Sequence, residues 1–299
     1  MNKNKIIVTG GCGFIGSNLV NKLCKDENNK VIVIDNLSTG KKENFNDLAE
    51  YIYEDINFAL TNKKHEKILK DASTIFHLAA LARIQPSFDD PQDTFVNNAN
   101  GTIAVCEYAR KNNIKVVYAG SSSFYAGPHL NPYSFTKWIG EEICCLYNKV
   151  YNLDVNIARF FNVYGPNHLK TGPYATVLGI FEEQWVSKKP LTVTGDGEQR
   201  RDFTHVFDIC SGLISMSLIK GESEIYNLGT SKNYSINEVA AMFNGSEITY
   251  IAARPGEARE TLADIQFSKE KLNYKPHQEL KEYVDSFLSE NKLMKQKEK

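Results

Sequence analysis

No run in the 299-residue sequence approaches the roughly 18 consecutive apolar residues that a membrane-spanning helix needs. The apolar run after the N-terminal Met-Asn-Lys-Asn-Lys is too short for a signal-peptide core, and it passes straight into glycines. Neither sign of charge dominates. Lys and Arg number 35 and Asp and Glu 36, a net charge of -1, which argues against nucleic acid or an anionic membrane surface as a partner. The six cysteines, at 12, 24, 106, 144, 145 and 210, form no Cys-x-x-Cys pair. Buried, reduced thiols in a cytoplasmic protein are therefore expected rather than a disulfide framework. The six histidines, at 65, 77, 129, 168, 205 and 277, show no ligand spacing, so no metal site is expected. There is no internal repeat. Lys292 to Lys299, with four lysines, is expected to be a frayed, solvated end.

What is present is alternation. Short β-branched runs (Lys5 to Thr9, Val31 to Asp35, Tyr51 to Tyr53, Thr74 to His77, Lys115 to Ala119, Val155 to Phe160) read as strands. Helix-like stretches lie between them: Ile15 to Lys25, Lys63 to Lys70, Pro91 to Asn112 and Tyr133 to Tyr151. Several strands are almost wholly apolar, as strands of a parallel sheet covered on both faces are. The class is α/β, a Rossmann-type doubly wound parallel sheet. After Gly165 the pattern changes. Helices at Ala175 to Ser187, Asp208 to Lys220 and Asn237 to Phe243 mix with strands at Leu191 to Thr194 and Ile225 to Leu228. Residues 1–164 are expected to bind a dinucleotide and residues 165–299 a substrate, with about 203–230 packing back on the first unit.

Two motifs carry chemistry. Thr9-Gly10-Gly11-Cys12-Gly13-Phe14-Ile15-Gly16 ends a strand and opens a helix. Gly10 permits the tight turn, Gly13 lets backbone approach a pyrophosphate, and Gly16 allows close helix–sheet packing. Asp35, 19 residues after Gly16, ends the second strand, where a carboxylate accepts ribose hydroxyls and repels a 2′-phosphate. NAD is thus favoured over NADP. The second motif is Tyr133-Ser134-Phe135-Thr136-Lys137, which puts a phenol and an ammonium on one helix face. Lys137 is expected to lower the Tyr133 pKa and make it a general base. Ser121, Ser122 and Ser123 follow a buried strand, where open α/β sheets bind ligands.

In combination these residues resemble the extended short-chain dehydrogenase/reductases, and among them the NAD-dependent nucleotide-sugar epimerases of the UDP-glucose/UDP-N-acetylglucosamine 4-epimerase type. The resemblance also rests on Asp35-Asn36-Leu37-Ser38-Thr39-Gly40, Asp55-Ile56, His77-Leu78-Ala79-Ala80, Asn98 to Thr102 and Arg159 to Pro166. In the second half it rests on Gly195 to Gln199, Arg201 to Val206 and Arg254 to Glu257. It implies that Asn36, Ser38, Thr39 and Gly40 wrap the adenosine and that Asp55 and Ile56 flank the adenine. It places Leu78, Ala79, Ala80, Asn98 and Phe161 on the pyrophosphate and nicotinamide side. Ser121, Tyr133 and Lys137 are implied to be catalytic, with Lys137 also holding the nicotinamide ribose. Ser122 and Asn162 would meet the UDP-sugar, Arg201 and Arg254 its diphosphate, and Glu257 its ribose.

Dehydratases and decarboxylases of this superfamily carry an acid just after the catalytic Ser or Thr; here Ser122 and Ser123 follow. Epimerisation at carbon 4 is therefore expected, ahead of a 4,6-dehydratase, decarboxylase or reductase, and further ahead of a non-catalytic sensor. The resemblance places Thr261 against the sugar's 2-substituent, where a tyrosine would exclude N-acetylated sugars, so acceptance of N-acetylhexosamines is expected. The loop from Ser121 to Tyr133 is shorter than the family's. A homodimer through a four-helix bundle is expected from apolar residues on more than one face of the helices at 91–112 and 133–151: Phe95, Ile103, Val105, Tyr108, Trp138, Ile143, Leu146 and Tyr147.

Overall fold

The computed structural model describes residues 3–297. Seven parallel strands form its central sheet. They are β1 (Asn4–Thr9), β2 (Asn29–Ile34), β3 (Glu50–Ile52), β4 (Thr74–His77), β5 (Lys115–Ser121), β6 (Val155–Phe160) and an edge strand, Ile225–Leu228. The order runs from the Ile225–Leu228 edge through β6, β5, β4, β1 and β2 to β3. After β3 the chain returns to the other side of β1, so the order reverses between β1 and β4. Ligands bind at such a reversal, at the carboxyl ends of the strands.

Burial explains the arrangement. All seven residues of β5 are buried, as are all four of β4. On one face, Leu19, Val20, Ile209, Leu213 and Met216 from two helices, Phe14–Leu23 and Val206–Leu218, pack on Val8, Val33 and Val117. On the other, helices Ile56–Thr61, Gly101–Asn112 and Pro132–Tyr151 cover Ile7, Ile32, Ile75 and Val116. A third cluster joins Leu178, Phe181, Leu191, Val193, Val239, Phe243 and Val284, away from the sheet. The edge strand comes from the late chain, and Tyr226 and Leu228 complete the first cluster.

Several elements differ from the sequence reading. The stretch at 91–112 is not one helix. Pro91–Phe95 passes through a π-helical turn, Val96–Asn100, before Gly101–Asn112. The extra residue in that turn brings Asn98 inward, where its side chain accepts from Leu81 N at 2.8 Å and donates to Leu81 O at 3.2 Å. The stretch at 63–70 breaks into Lys63–His65 and Glu66–Leu69. Helices Ile84–Asp89, Gln266–Leu272 and Leu280–Lys297 and strand Ile248–Ile251 lacked a clear sequence signal. The lysine-rich tail continues the last helix to Lys297 rather than fraying before it; residues 298 and 299 lie outside those described. All six cysteines are free thiols, five of them buried. No helix among the described residues is long and apolar enough to cross a membrane.

Candidate active site

One cleft runs along the carboxyl ends of the strands, from Gly10 and Asp35 to Tyr133 and on to Arg201, Arg254 and Thr261. Its first end is the glycine turn. Gly10 has φ +70°, and a Cβ there would stand 2.8 Å from Ala79 N. A Cβ on Gly16 would stand 2.1 Å from the Gly10 carbonyl oxygen, so only glycine lets the helix begin this close to the turn. That helix is capped by Gly13, which brings no side chain to the free N–H groups of the first turn. The turn and helix end therefore fit a pyrophosphate. Asp35 accepts from Cys12 N at 2.9 Å and Leu37 N at 2.8 Å, and its carboxylate keeps further lone pairs for ribose hydroxyls. Asn36, Ser38, Thr39, Asp55 and Ile56 line the same end, and Leu78, Ala79 and Ala80 the wall beside it.

At the centre, Tyr133 opens the helix Pro132–Tyr151, whose N-cap Asn131 accepts from Ser134 N at 2.8 Å. The Tyr133 hydroxyl donates to Ser121 Oγ at 3.2 Å. Tyr133, Lys137 and Glu141 follow at i, i+4 and i+8 on one face. Glu141 pairs with Arg159 from β6 in a buried, forked ion pair whose Nη2 to Oε2 distance is 2.5 Å. Arg159 in turn lies over the Phe124 ring, its guanidinium carbon 3.7 Å from the centroid.

A lowered Tyr133 pKa was expected, and burial works against it. Burial raises the Tyr133 pKa above the ordinary phenol value; the Ser121 hydrogen bond and the Arg83 charge pull the other way, and Glu141 adds to the rise. The Lys137 ammonium lies 4.7 Å from the centroid of the Tyr118 ring, and burial lowers its own pKa to about 8.

At the far end, Arg201 and Arg254 both reach Glu257, at 3.6 Å and 4.0 Å. Burial lowers the Arg201 pKa, against the pull of Glu257. Asn162 and Phe161 line the adjoining wall with Ser122. Thr261 is buried, and its Oγ1 has no hydrogen-bond partner; Ser123 Oγ is in the same condition, and both residues line the cleft. The short loop before Tyr133 is tied to this end by Asn131 Nδ2, which donates to Gly256 O at 3.2 Å.

Two expected contact residues do not line the cleft. Asn98 lies behind it, fixing the Leu81 backbone and donating to Thr136 Oγ1 at 3.0 Å. Gly40 packs against Cys12 and the Asp35 carboxylate. Conversely, Arg83 and Tyr174 line it and were not singled out from sequence. A signal for Arg83 existed: it is the one basic residue in the apolar run after the carboxyl end of β4.

Comparison with known proteins agrees with this geometry. A model of the NAD dependent epimerase/dehydratase family matches residues 6–229. A provisionally named UDP-glucose 4-epimerase of Methanocaldococcus jannaschii is 36% identical over 93% of this chain and 95% of its own length. UDP-glucuronic acid decarboxylase 1 of Xenopus tropicalis is 30% identical over 92% of this chain and 69% of its own. Among solved structures, the UDP-N-acetylglucosamine 4-epimerase of Methanobrevibacter ruminantium M1, in complex with UDP-N-acetylmuramic acid, superposes with a TM-score of 0.85 at 33% identity, covering 97% of this chain and 100% of that one. The UDP-glucuronic acid 4-epimerase of Bacillus cereus, with UDP-glucuronic acid and NAD, gives 0.86 at 30% identity, covering 97% and 99%. A glycine turn at the reversal point of a parallel sheet, a Tyr–Ser pair beside it and matches over nearly the whole chain lead to one conclusion: the chain belongs to the NAD-dependent epimerase/dehydratase family, the extended short-chain dehydrogenase/reductases that act on nucleotide sugars.

Proposed function

We propose that the protein is a cytoplasmic UDP-sugar 4-epimerase that accepts N-acetylhexosamines. The observation that carries this reading is the Tyr133–Ser121 pair with no carboxylic acid beside it. Four carboxylates line the cleft among the described residues. Asp35, Glu54 and Asp55 stand at the adenosine end and Glu257 at the diphosphate end. Elimination or decarboxylation in related enzymes uses an acid next to the reacting serine or threonine, and Ser122 and Ser123 hold that place.

NAD, when bound, supplies the acceptor and donor for the hydride of the sugar's carbon 4. Tyr133 Oη takes the proton of the 4-hydroxyl and later returns it. Ser121 Oγ holds the reacting oxygen. Lys137 holds the nicotinamide ribose. Arg201 and Arg254 grip the diphosphate with forked, charge-assisted hydrogen bonds. The flat 4-keto sugar then turns over within the pocket without leaving it. Residues 1–164, with about 203–230, serve as the cofactor-binding unit and the rest of 165–299 as the substrate unit. Thr261 leaves room for an acetamido group, and its free Oγ1 is available to bond one.

A homodimer fits the helical stretches 91–112 and 133–151. Phe95, Val96, Ile103 and Leu146 are exposed on them, although Val105 is fully buried in the monomer core. Such a face suits an isologous contact.

The decarboxylase relative favours a second reading. Mass spectrometry and sugar-proton NMR of products from a panel of UDP-sugars separate the two. Epimerisation leaves mass unchanged and inverts carbon 4. Loss of carbon dioxide or water from the sugar would overturn the proposal. Light scattering near the 33.8 kDa of one chain would overturn the dimer.

A further inference from the structure

The residue after Arg201 is Asp202, which is fully buried and does not line the cleft. Its carboxylate accepts from five uncharged groups on three stretches of chain. These are Thr230 N at 2.9 Å, Thr230 Oγ1 at 2.8 Å, Ser231 N at 2.9 Å, Ala263 N at 3.2 Å and Thr204 Oγ1 at 3.2 Å. Thr230 and Ser231 follow the edge strand Ile225–Leu228, at the carboxyl end of the central sheet. Ala263 comes two residues after Thr261. The chain from 252 to 265 holds one isolated bridge, Glu260 to Arg200, and otherwise no helix or strand among the described residues. Yet this stretch brings Arg254, Glu257 and Thr261 to the cleft. Its place is set by individual bonds. Arg200 N donates to Arg259 O at 2.9 Å and Thr261 N to Arg200 O at 3.0 Å. Ala263 is held on both sides of its backbone, its N–H by Asp202 and its carbonyl by Ser231 Oγ at 2.8 Å. The approach is close: a Cβ on Gly229 would stand 2.2 Å from the Ala263 Cβ.

We propose that Asp202 is a positioning residue for the sugar nucleotide. It pins the stretch 252–265 to the carboxyl end of the cofactor sheet, and so sets where Glu257 and Thr261 stand relative to Arg201 and Tyr133. The proposal rests on Arg201, Glu257 and Thr261 holding a UDP-sugar. A carboxylate suits the task because it only accepts, through about four lone-pair sites, and so gathers donors from several segments at once. Its charge makes each bond stronger than a neutral one. Removing it strands Ser231 N and Ala263 N in the interior, where an unbonded amide is costly, and the stretch shifts to find other partners. The glycine turn and Asp35 share none of these bonds. The loss therefore falls on the sugar nucleotide and spares NAD.

The test uses UDP alone as the probe, with its Kd measured by calorimetry on the purified holoenzyme. Asp202→Ala should weaken UDP by about tenfold or more. KM for UDP-sugars should rise in parallel, with kcat within about threefold of wild type, the signature of lost uniform binding. The NAD released on denaturation should stay at the wild-type ratio. Asp202→Asn keeps an oxygen for Ala263 N, while the Thr204 and Thr230 hydroxyls turn to accept from its amide, so it should recover most of the affinity. Val239→Ala, in the third core cluster and outside the cleft, shows what general destabilisation does; its UDP Kd should not move. An unchanged Kd in Asp202→Ala would overturn the proposal. So would a loss no larger than that in Val239→Ala, or an equal loss of NAD. Should the alanine variant not accumulate, Ser231→Gly decides. It removes the hydroxyl that holds Ala263 O, at a residue whose φ of +61° suits glycine. It should weaken UDP about threefold, and an unchanged Kd would overturn the proposal. Products that keep their carbon 4 configuration would overturn the epimerase reading and leave the UDP shift standing, so the two failures are distinguishable.

Discussion

The two ends of the cleft are built differently. At the cofactor end polar groups are already bonded within the protein. Asp35 holds two backbone N–H groups, Asp55 accepts from Asn57 N at 2.8 Å, and His77 sits between Thr9 Oγ1 at 2.8 Å and Thr102 Oγ1 at 3.1 Å. At the sugar end some are not. Ser123 Oγ and Thr261 Oγ1 are buried without partners, and Arg201 and Arg254 reach Glu257 only at 3.6 Å and 4.0 Å. A buried group left unbonded costs about 1–3 kcal/mol, and a ligand that bonds it removes that cost. The cofactor end is therefore a finished scaffold. The other end keeps unbonded groups that a ligand could satisfy.

The strongest way to break this contrast is to cut what joins the ends. Glu141→Ala would leave Arg159 charged, buried and unpaired beneath both. We expect a loss of about 3–5 kcal/mol in unfolding free energy by urea titration. A loss under 1 kcal/mol would show that solvent reaches Arg159. Tyr133→Phe acts on the sugar end alone. Turnover should fall by roughly two orders of magnitude or more, while the NAD released on denaturing the purified protein stays at the wild-type ratio. Wild-type turnover would exclude Tyr133 as the base, and NADP in the extract would overturn the role of Asp35.

His77 tests the cofactor end by pH. Burial first, and the Lys137 charge second, pull its pKa down to about 3. The unfolded chain takes up the proton near pH 6.5, the folded one only near 3. This contribution to stability is thus complete above pH 6.5 and is lost as pH falls toward 3, amounting to about 2 kcal/mol at pH 5. The burial that lowers His205 to about 4 adds a smaller loss of the same sign. Urea midpoints measured from pH 7 to 5 should fall less steeply in His77→Asn; parallel curves would reassign the acid sensitivity. The smallest effect is the most selective. Thr261→Tyr should reduce turnover of N-acetylated UDP-sugars by roughly 10-fold to 200-fold and leave plain hexoses little changed. An equal loss on both would mean that Thr261 only packs.

Much of the cofactor end was legible because it is local. The glycines are spaced by one turn and one helix start, and Asp35 follows at the end of the next strand. Strands Thr74–His77, Val155–Phe160, Leu191–Thr194 and Ile225–Leu228 have the limits their apolar runs imply. Helix Ile84–Asp89 lacked a signal: it is short, carries a proline inside and has no side-chain cap. The π-turn at Val96–Asn100 was invisible because its cause, the Asn98 bonds to Leu81, spans 17 residues.

By itself the sequence determined the parallel sheet, the dinucleotide turn and the helix face that carries Tyr133 and Lys137. Hydrophobic period, glycine conformation and i, i+4 spacing are properties of neighbours along the chain. Only the tertiary structure decided which charges face which. Lys137 pairs with Tyr133 in spacing and lies over Tyr118, and Arg83, 50 residues earlier, lines the same cleft. Electrostatic coupling falls with distance in space and grows with burial, and neither quantity is written in the order of residues.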